Sequence, residues 1–255
     1  MAVIDRPIIL PKLAFLTAWG MLEAGELPPA FGTNLHHWTS SGARRELEIR
    51  AMAALTDLGL ARNNRLNSLW RSTVGVLAEA ACEYYAFCAF ADGQSCSVLI
   101  AARAGDAVRA IIDDNVVSLE PIEGKWFATA LLDTLPEVPA AQISPTIASR
   151  DAVPGGPAFT SRPPAGGAGF GRGNRMGEFG RIEEVMELPR RAVHQIYLAR
   201  RDAGGPRRRS TPITAIDTDD AGRVLVYIDG QDNLVMTPGS PREFVVILND
   251  TFAAL

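Results

Sequence analysis

The sequence predicts an α+β protein with approximate two-fold internal symmetry. Three observations lead there. Apolar residues recur at helical spacing up to residue 81, switch to short strand-like runs between 83 and 119, and return to helical spacing over 124–135. From residue 178 the last third goes through helix, strands and helix again. Residues 105–135 also lie over residues 222–252 at a constant offset of 117, without a gap.

From the N-terminus, residues 7–10 are a short apolar run suited to an edge strand. Residues 12–24 predict a helix with the amphipathic stripe Phe15, Leu16, Trp19 and Leu22, ended by Gly25 and the Pro28, Pro29 pair. The near-apolar run at 13–22 is shorter than the roughly 20 residues of a membrane span. Acidic residues flank it and no A-x-A pattern follows, so a helix fits better than a signal peptide. Residues 30–41 read as a loop. Further helices are expected at 43–58, stopped by Gly59, and at 64–81, with Leu66, Leu69, Trp70, Val74 and Leu77 on one face.

Strands follow at 83–91 and 95–103 around Asp92 and Gly93, a pair that signals a hairpin when it separates two apolar runs. A second hairpin, 107–112 and 115–119, turns at Asp113 and Asp114, and a helix at 124–135 closes the half. Between 154 and 177, four prolines and eight glycines leave too little apolar surface to offset the cost of ordering. That stretch is expected to be a mobile linker, with 143–153 weakly structured. Beyond it come a helix at 178–188 and strands at 193–201, 212–218, 223–228 and 233–236. Ser240, Pro241 and Glu243 form a capping box that opens a C-terminal helix with Phe244, Val245, Leu248 and Phe252 on its apolar face.

The offset of 117 aligns Gly105 with Gly222, Ile111 with Ile228, Pro121 with Pro238, Phe127 with Phe244, Asp133 with Asp250 and Thr134 with Thr251. Each copy is a strand, a tight turn, a strand, a proline-marked corner and an amphipathic helix. One copy alone leaves a sheet edge and an apolar face unburied. Two copies can join their sheets and cover them with helices.

Lys plus Arg number 25 and Asp plus Glu 29, a net charge of −4, which excludes a strongly basic nucleic-acid binder. A hydrophobic fraction of 47% excludes an acidic disordered chain. Three cysteines are too few, and odd in number, for a disulfide scaffold. The chain is therefore expected to be cytoplasmic, with Cys82, Cys88 and Cys96 reduced.

The search for chemistry returns little. Neither His36 and His37 nor the cysteines have zinc-site spacing, and Cys82 and Cys88 read as core thiols. There is no G-x-S-x-G elbow, and His194, at the start of a strand, suits packing or a surface role better than catalysis. The glycine-rich run at 166–173 lacks the G-x-G-x-x-G spacing and a preceding strand, so no nucleotide cofactor is implied. Asp217, Asp219 and Asp220 read as turn-capping residues, with a cation site as the alternative. The basic run 206–210 reads as a solvated hairpin tip that discourages edge pairing, with contact to nucleic acid or an acidic partner as the alternative. No catalytic, cofactor or metal constellation emerges, which points to a binding or chaperone role.

The last third contains HQIYLARR, RRRSTPITAIDTDDAGRVLVY with its Gly222, Arg223 pair, and LVMTPGSPREFVVIL. The first half contains CEYYAFCAF, SVLIAARAGDAVRAI and VVSLEPIEGKWFATALLDTL. In these segments and their order the pattern resembles the EspG family of proteins associated with type VII (ESX) secretion in actinobacteria. The resemblance covers most of 1–135 and 178–255. It implies one EspG-like domain over 1–255, whose halves 1–135 and 178–255 are joined by the Gly/Pro-rich segment 136–177. It further implies a central antiparallel sheet, two helical bundles and no catalysis. The implied function is a cytosolic chaperone that binds PE–PPE heterodimers, covers an apolar tip of the PPE subunit and keeps the pair soluble for export. By position, the family's substrate-contacting hairpin is residues 90–95, which makes Phe90, Asp92, Gly93 and Gln94 the expected partner-binding residues. One departure is visible: a Gly/Pro stretch replaces much of the second helical bundle expected before Val193. Two alternatives stay open, a regulatory protein using 206–210 to meet nucleic acid or an acidic partner, and an enzyme-like site around Asp217 and its neighbours.

Overall fold

The computed structural model describes residues 3–32, 40–149, 172–202 and 205–255. The first half runs β1 (Ile8–Pro11), α1 (Lys12–Met21), α2 (Ser41–Asp57), the two-residue strands β2 (Ala61–Arg62) and β3 (Arg65–Leu66), α3 (Ser68–Ala78), β4 (Cys82–Phe90), β5 (Ser95–Arg103), β6 (Asp106–Ile112), β7 (Val116–Pro121) and α4 (Phe127–Leu132). The second half runs β8 (Thr146–Ser149), α5 (Arg172–Met186), β9 (Arg190–Arg201), β10 (Arg207–Arg209), β11 (Ile213–Thr218), β12 (Arg223–Ile228), β13 (Asn233–Pro238) and α6 (Pro241–Ala253).

An antiparallel sheet of eleven strands spans both halves in the order β1-β7-β6-β5-β4-β9-β11-β12-β13-β8, with β10 beside β9. The halves meet at β4 and β9, paired from Cys82 opposite Arg200 to Phe90 opposite Ala192. Outward from that pair the order matches on the two sides: β5, β6, β7 and β1 on one, β11, β12, β13 and β8 on the other. The offset of 117 carries β7 onto β13 and β6 almost onto β12. Register differs by one residue, however. Val108 faces Pro121, whereas Leu225 at the same offset faces Thr237. The cause is local. Asp113 closes its turn by accepting from the N–H groups of Asn115 and Val116, while the β12–β13 loop holds one more residue, with Asp232 at φ 62°.

Alternation along the strands divides the core between two faces. One face carries Tyr85, Leu99, Ala101, Val108 and Leu119 against α1 and α3, and Ile216, Val224 and Met236 against α5. The other carries Tyr84, Val98, Ile100, Ile196, Leu198 and Leu225 against α4 and α6. Helix α1 is more than an amphipathic stripe, because all six residues from Ala14 to Trp19 are buried. Phe15 stacks on Phe31 at 4.5 Å and meets Trp70 edge-on at 5.9 Å, and each such buried ring contributes about 1.5–3 kcal/mol.

Several expectations need correction. The helix predicted at 64–81 begins only at Ser68, capped by the Asn67 side chain accepting from the Trp70 N–H at 2.9 Å. Asn63 and Asn64 take positive φ and make the tight turn between β2 and β3, so Asn64, which fitted the helical window, serves with Asn63 as a hairpin turn. Residues 146–149, expected to be weakly structured, form β8 at the sheet edge on β13. Helix α5 starts at Arg172, six residues before the helix predicted at 178, and takes the end of the expected linker. The rest of that linker, residues 154–171, lies outside the described residues, as do His36 and His37 in the loop read at 30–41. No described helix is long and apolar enough to cross a membrane.

Candidate partner-binding surface

The hairpin of β4 and β5 turns over Phe90 to Gln94, but not through the two-residue turn that Asp92 and Gly93 suggested. The Gly93 N–H donates to the Phe90 carbonyl and the Phe90 N–H to the Gln94 carbonyl, both at 3.0 Å, with Gly93 at φ 83°. This is a three-residue loop whose last position needs the left-handed backbone, which glycine adopts without strain. The Asp92 carboxylate accepts from the Gln94 N–H at 2.9 Å, and the Ala91 N–H donates to the Arg191 carbonyl of β9. Asp92, Gly93 and Gln94 are exposed. Phe90 is half-buried and differs in kind. It packs against the α4–α6 core, and its ring meets His194 edge-on at 5.9 Å. Three of the four expected residues therefore stand at the tip, and the fourth anchors it.

Below the tip, on the α1 face, no described helix covers the middle of the sheet. A groove of about 410 Å³ lies there, lined by Phe87, Ala89, Ser97, Val193 and Gln195, with Lys12 and Asp113 at its rim. Phe87 is 37% exposed, a large apolar ring offered to solvent beside an exposed hairpin. It stands edge-on to Tyr85 at 5.9 Å and to Tyr197 at 6.2 Å, while those tyrosines stack on each other at 5.4 Å. The Val116 and Asn115 N–H groups hold the Asp113 carboxyl below the usual carboxylate range. Sequence reading missed this groove. Its signal was present in aromatics at alternate positions 85 and 87 of one strand and at 197 of another, but only the pairing of β4 with β9 brings them together.

The basic run is not a free tip. Arg207, Arg208 and Arg209 form β10, paired with Arg201, Arg200 and Ala199. Arg207 donates from Nε and Nη2 to the two carboxylate oxygens of Glu83, both at 2.8 Å, and lies 5.5 Å above the Tyr85 ring. Arg208 pairs with Asp202 at 2.7 Å, and Arg209 lies 5.0 Å above Tyr197. Glu83 neutralises Arg207, whereas Arg208 shares Asp202 with Arg200 and Arg209 faces only a ring, so the run is anchored as a strand and keeps a net positive charge.

His194, Asp217 and Arg223 form a buried network on the other face. Arg223 donates from Nε to Asp217 Oδ1 at 2.6 Å and from Nη2 to Asp217 Oδ2 at 2.8 Å and to the Pro136 carbonyl at 2.8 Å. His194 Nε2 lies 3.0 Å from Asp217 Oδ2. His194 is thus a packing residue with a charged partner, and Asp217 points inward with both oxygens engaged. The turn expected from the aspartates is made by Thr218, whose Oγ1 donates to the Gly222 carbonyl and accepts from the Ala221 N–H. This arrangement disfavours both a cation site and an enzyme-like site at Asp217. Among the described residues no group of His, Cys, Asp and Glu is placed to hold a metal ion.

Burial works to raise the Asp217 carboxyl, but the hydrogen bonds from Arg223 and His194 outweigh it and hold it below the ordinary range. A folded value below the unfolded one, about 3.9, means the stability Asp217 contributes is fully present above that pH. It is lost as pH falls through the folded value. Urea midpoints measured from neutrality into acid should therefore fall less steeply below about pH 4 for Asp217→Asn than for the parent chain. Parallel curves would show that Asp217 does not set the acid sensitivity.

Comparison with known proteins agrees with this architecture. The EspG family model matches residues 11–250. The chain belongs to the EspG family. None of the curated proteins matches it. Among solved structures it is similar to the type VII secretion system chaperone EspG5 of Mycobacterium tuberculosis, solved in complex with a PE25–PPE41 dimer. The TM-score is 0.72 at 15% identity, over 98% of this chain and 96% of that one. The fold is therefore shared at nearly full length, while few side chains are. The mixed α and β architecture and the large antiparallel sheet match the fold class read from sequence.

Proposed function

We propose that this EspG chain is a cytoplasmic, non-catalytic chaperone for a helical secretion substrate of the PE–PPE type. Membership of the EspG family carries the reading, because a relative of the same fold is a chaperone solved with such a pair. The contact surface proposed is the tip Asp92, Gly93 and Gln94, with Phe90 anchoring it, extended by Phe87 and Val193 in the groove below. An exposed apolar helical end tends to associate with itself. A cover that is apolar at its centre and polar at its rim keeps it soluble. We read 1–255 as one EspG-like domain, halves 1–135 and 178–255 acting together through the pairing of β4 with β9.

Co-expression of the chain with a cognate helical pair should give a soluble complex that elutes as one species. Asp92→Arg combined with Gln94→Glu should weaken that complex about tenfold, or about 1.4 kcal/mol, while lowering the melting temperature of the free chain by only a few degrees for the lost exposed Asp92 hydrogen bond. A pair equally soluble without the chain would overturn the chaperone reading. A complex indifferent to both tip changes would instead move the contact surface away from the hairpin.

A further inference from the structure

Cys88 and Cys96 stand directly opposite each other on β4 and β5, beside the foot of the hairpin tip. Directly opposed residues of an antiparallel pair have Cα atoms about 4.5–5.5 Å apart, within the roughly 4.4–6.8 Å that a disulfide spans. Both side chains lie on the α4–α6 face, and both thiols are free. Cys88 is 3% exposed, while Cys96 is half-buried and reachable. The Cys88 thiol hydrogen-bonds Cys96, which lowers the Cys96 thiol to about 7 and pushes Cys88 up, with burial adding to the rise. Burial pushes the third thiol, Cys82, up to about 12.

The geometry points to a modification site: we infer that Cys88 and Cys96 form a reversible thiol pair that a hydroperoxide converts to a cross-strand disulfide. Cys96, more open and more ionised, reacts first, its thiolate attacking the peroxide. Its Sγ takes one oxygen of the peroxide, the O–O bond breaks, and hydroxide leaves to be protonated, giving the sulfenic acid. Cys88 Sγ then attacks the Cys96 sulfur, the S–O bond breaks, and the hydroxyl leaves as water with the Cys88 proton. Two thiols and one hydrogen peroxide become one disulfide and two waters, the sulfurs giving up two electrons to the peroxide. A dithiol reductant reverses the bond by exchange. The crosslink staples the strands beneath Phe90. This chemistry belongs to the free chain and does not rest on the chaperone reading.

The test uses the whole chain, treated with excess hydrogen peroxide, denatured and alkylated. All three thiols of the reduced chain react, and one should react after oxidation. The chain mass before alkylation should fall by two hydrogens, a peptide map should join Cys88 to Cys96, and dithiothreitol should restore all three labels. Cys96→Ser should keep its two remaining thiols through the same treatment. Cys88→Ser should stop at a sulfenic acid on Cys96 that dimedone captures. An unreacted chain, a bridge through Cys82, a bridge between two chains, or a Cys96 sulfinic acid beside a free Cys88 would each overturn the inference. The map of the parent chain decides even if Cys88→Ser fails to fold.

Discussion

Asp217→Ala should lower the free energy of unfolding by about 3–5 kcal/mol, as expected when one partner of a buried ion pair is removed. The loss does not come from the missing carboxylate alone. Arg223 is 3% exposed, and without Asp217 it keeps only the Pro136 carbonyl to offset a buried guanidinium. His194, fully buried, loses its Nε2 partner in the same step. The damage should spread in one direction. Phe90 rests edge-on against His194, so the root of the β4–β5 hairpin should loosen, and amide exchange at Phe90 and Gly93 should speed up more than at β7. Urea unfolding gives the magnitude. Adding Arg223→Met and changing Asp217 to Leu should recover much of the loss, since no lone charge remains buried. A cost below about 1 kcal/mol for Asp217→Ala, with an unchanged m value, would mean that this interior tolerates a solitary guanidinium and that the network is not what ties β9, β11 and β12 together.

What could be read from the sequence was mainly what the chain encodes locally. The hairpin around Asp113 was legible because its turn chemistry sits within a few residues, and α6 was legible because Ser240 caps it from the side chain, accepting from the Glu243 N–H. The helix at 64–81 was misjudged at its start because asparagine fits several local conformations. Only the burial of Leu60 and Leu66 against the helical core decides for a hairpin there. The strand β8 was missed because four residues of TIAS carry little signal, and its strand geometry comes from an open edge on β13. The groove around Phe87 and the Glu83–Arg207 pair were beyond reach for a different reason. Their members lie far apart in sequence and meet only through the pairing of β4, β9 and β10. His194 illustrates the same limit. Its residue type allowed packing or chemistry, and only the register placing it beside Asp217 settles its role.

Gly222→Ala is the second substitution expected to be severe, at about 3 kcal/mol or more. Gly222 and Arg223 were legible as a pair typical of the family, but not the reason for the glycine. Two requirements coincide at this position. The backbone sits at φ 96°, where an L-residue with a Cβ stores about 1–3 kcal/mol of strain. An added Cβ would also lie 2.6 Å from the Pro139 carbonyl oxygen and 3.0 Å from the backbone of Ala140 and Ala141. These neighbours are main chain and cannot swing aside as a flexible side chain would. They are also the segment that receives the Arg223 N–H at 2.7 Å and donates the Ala141 N–H to the Arg223 carbonyl at 2.9 Å. Pushing the segment away would break both hydrogen bonds, at about 1 kcal/mol each, and shift the backbone that carries the Arg223 guanidinium. Gly239 closes the other side, since a Cβ there would come within 2.3 Å of the Arg223 side chain. Arg223 therefore reaches Asp217 only because glycine stands on both flanks. Gly222→Ala and Asp217→Ala should then cost less together than the sum of the two alone, because each disables the same contact. A double-mutant cycle by urea unfolding measures the coupling. Strict additivity would show that Gly222 is needed for its turn alone and not for the network.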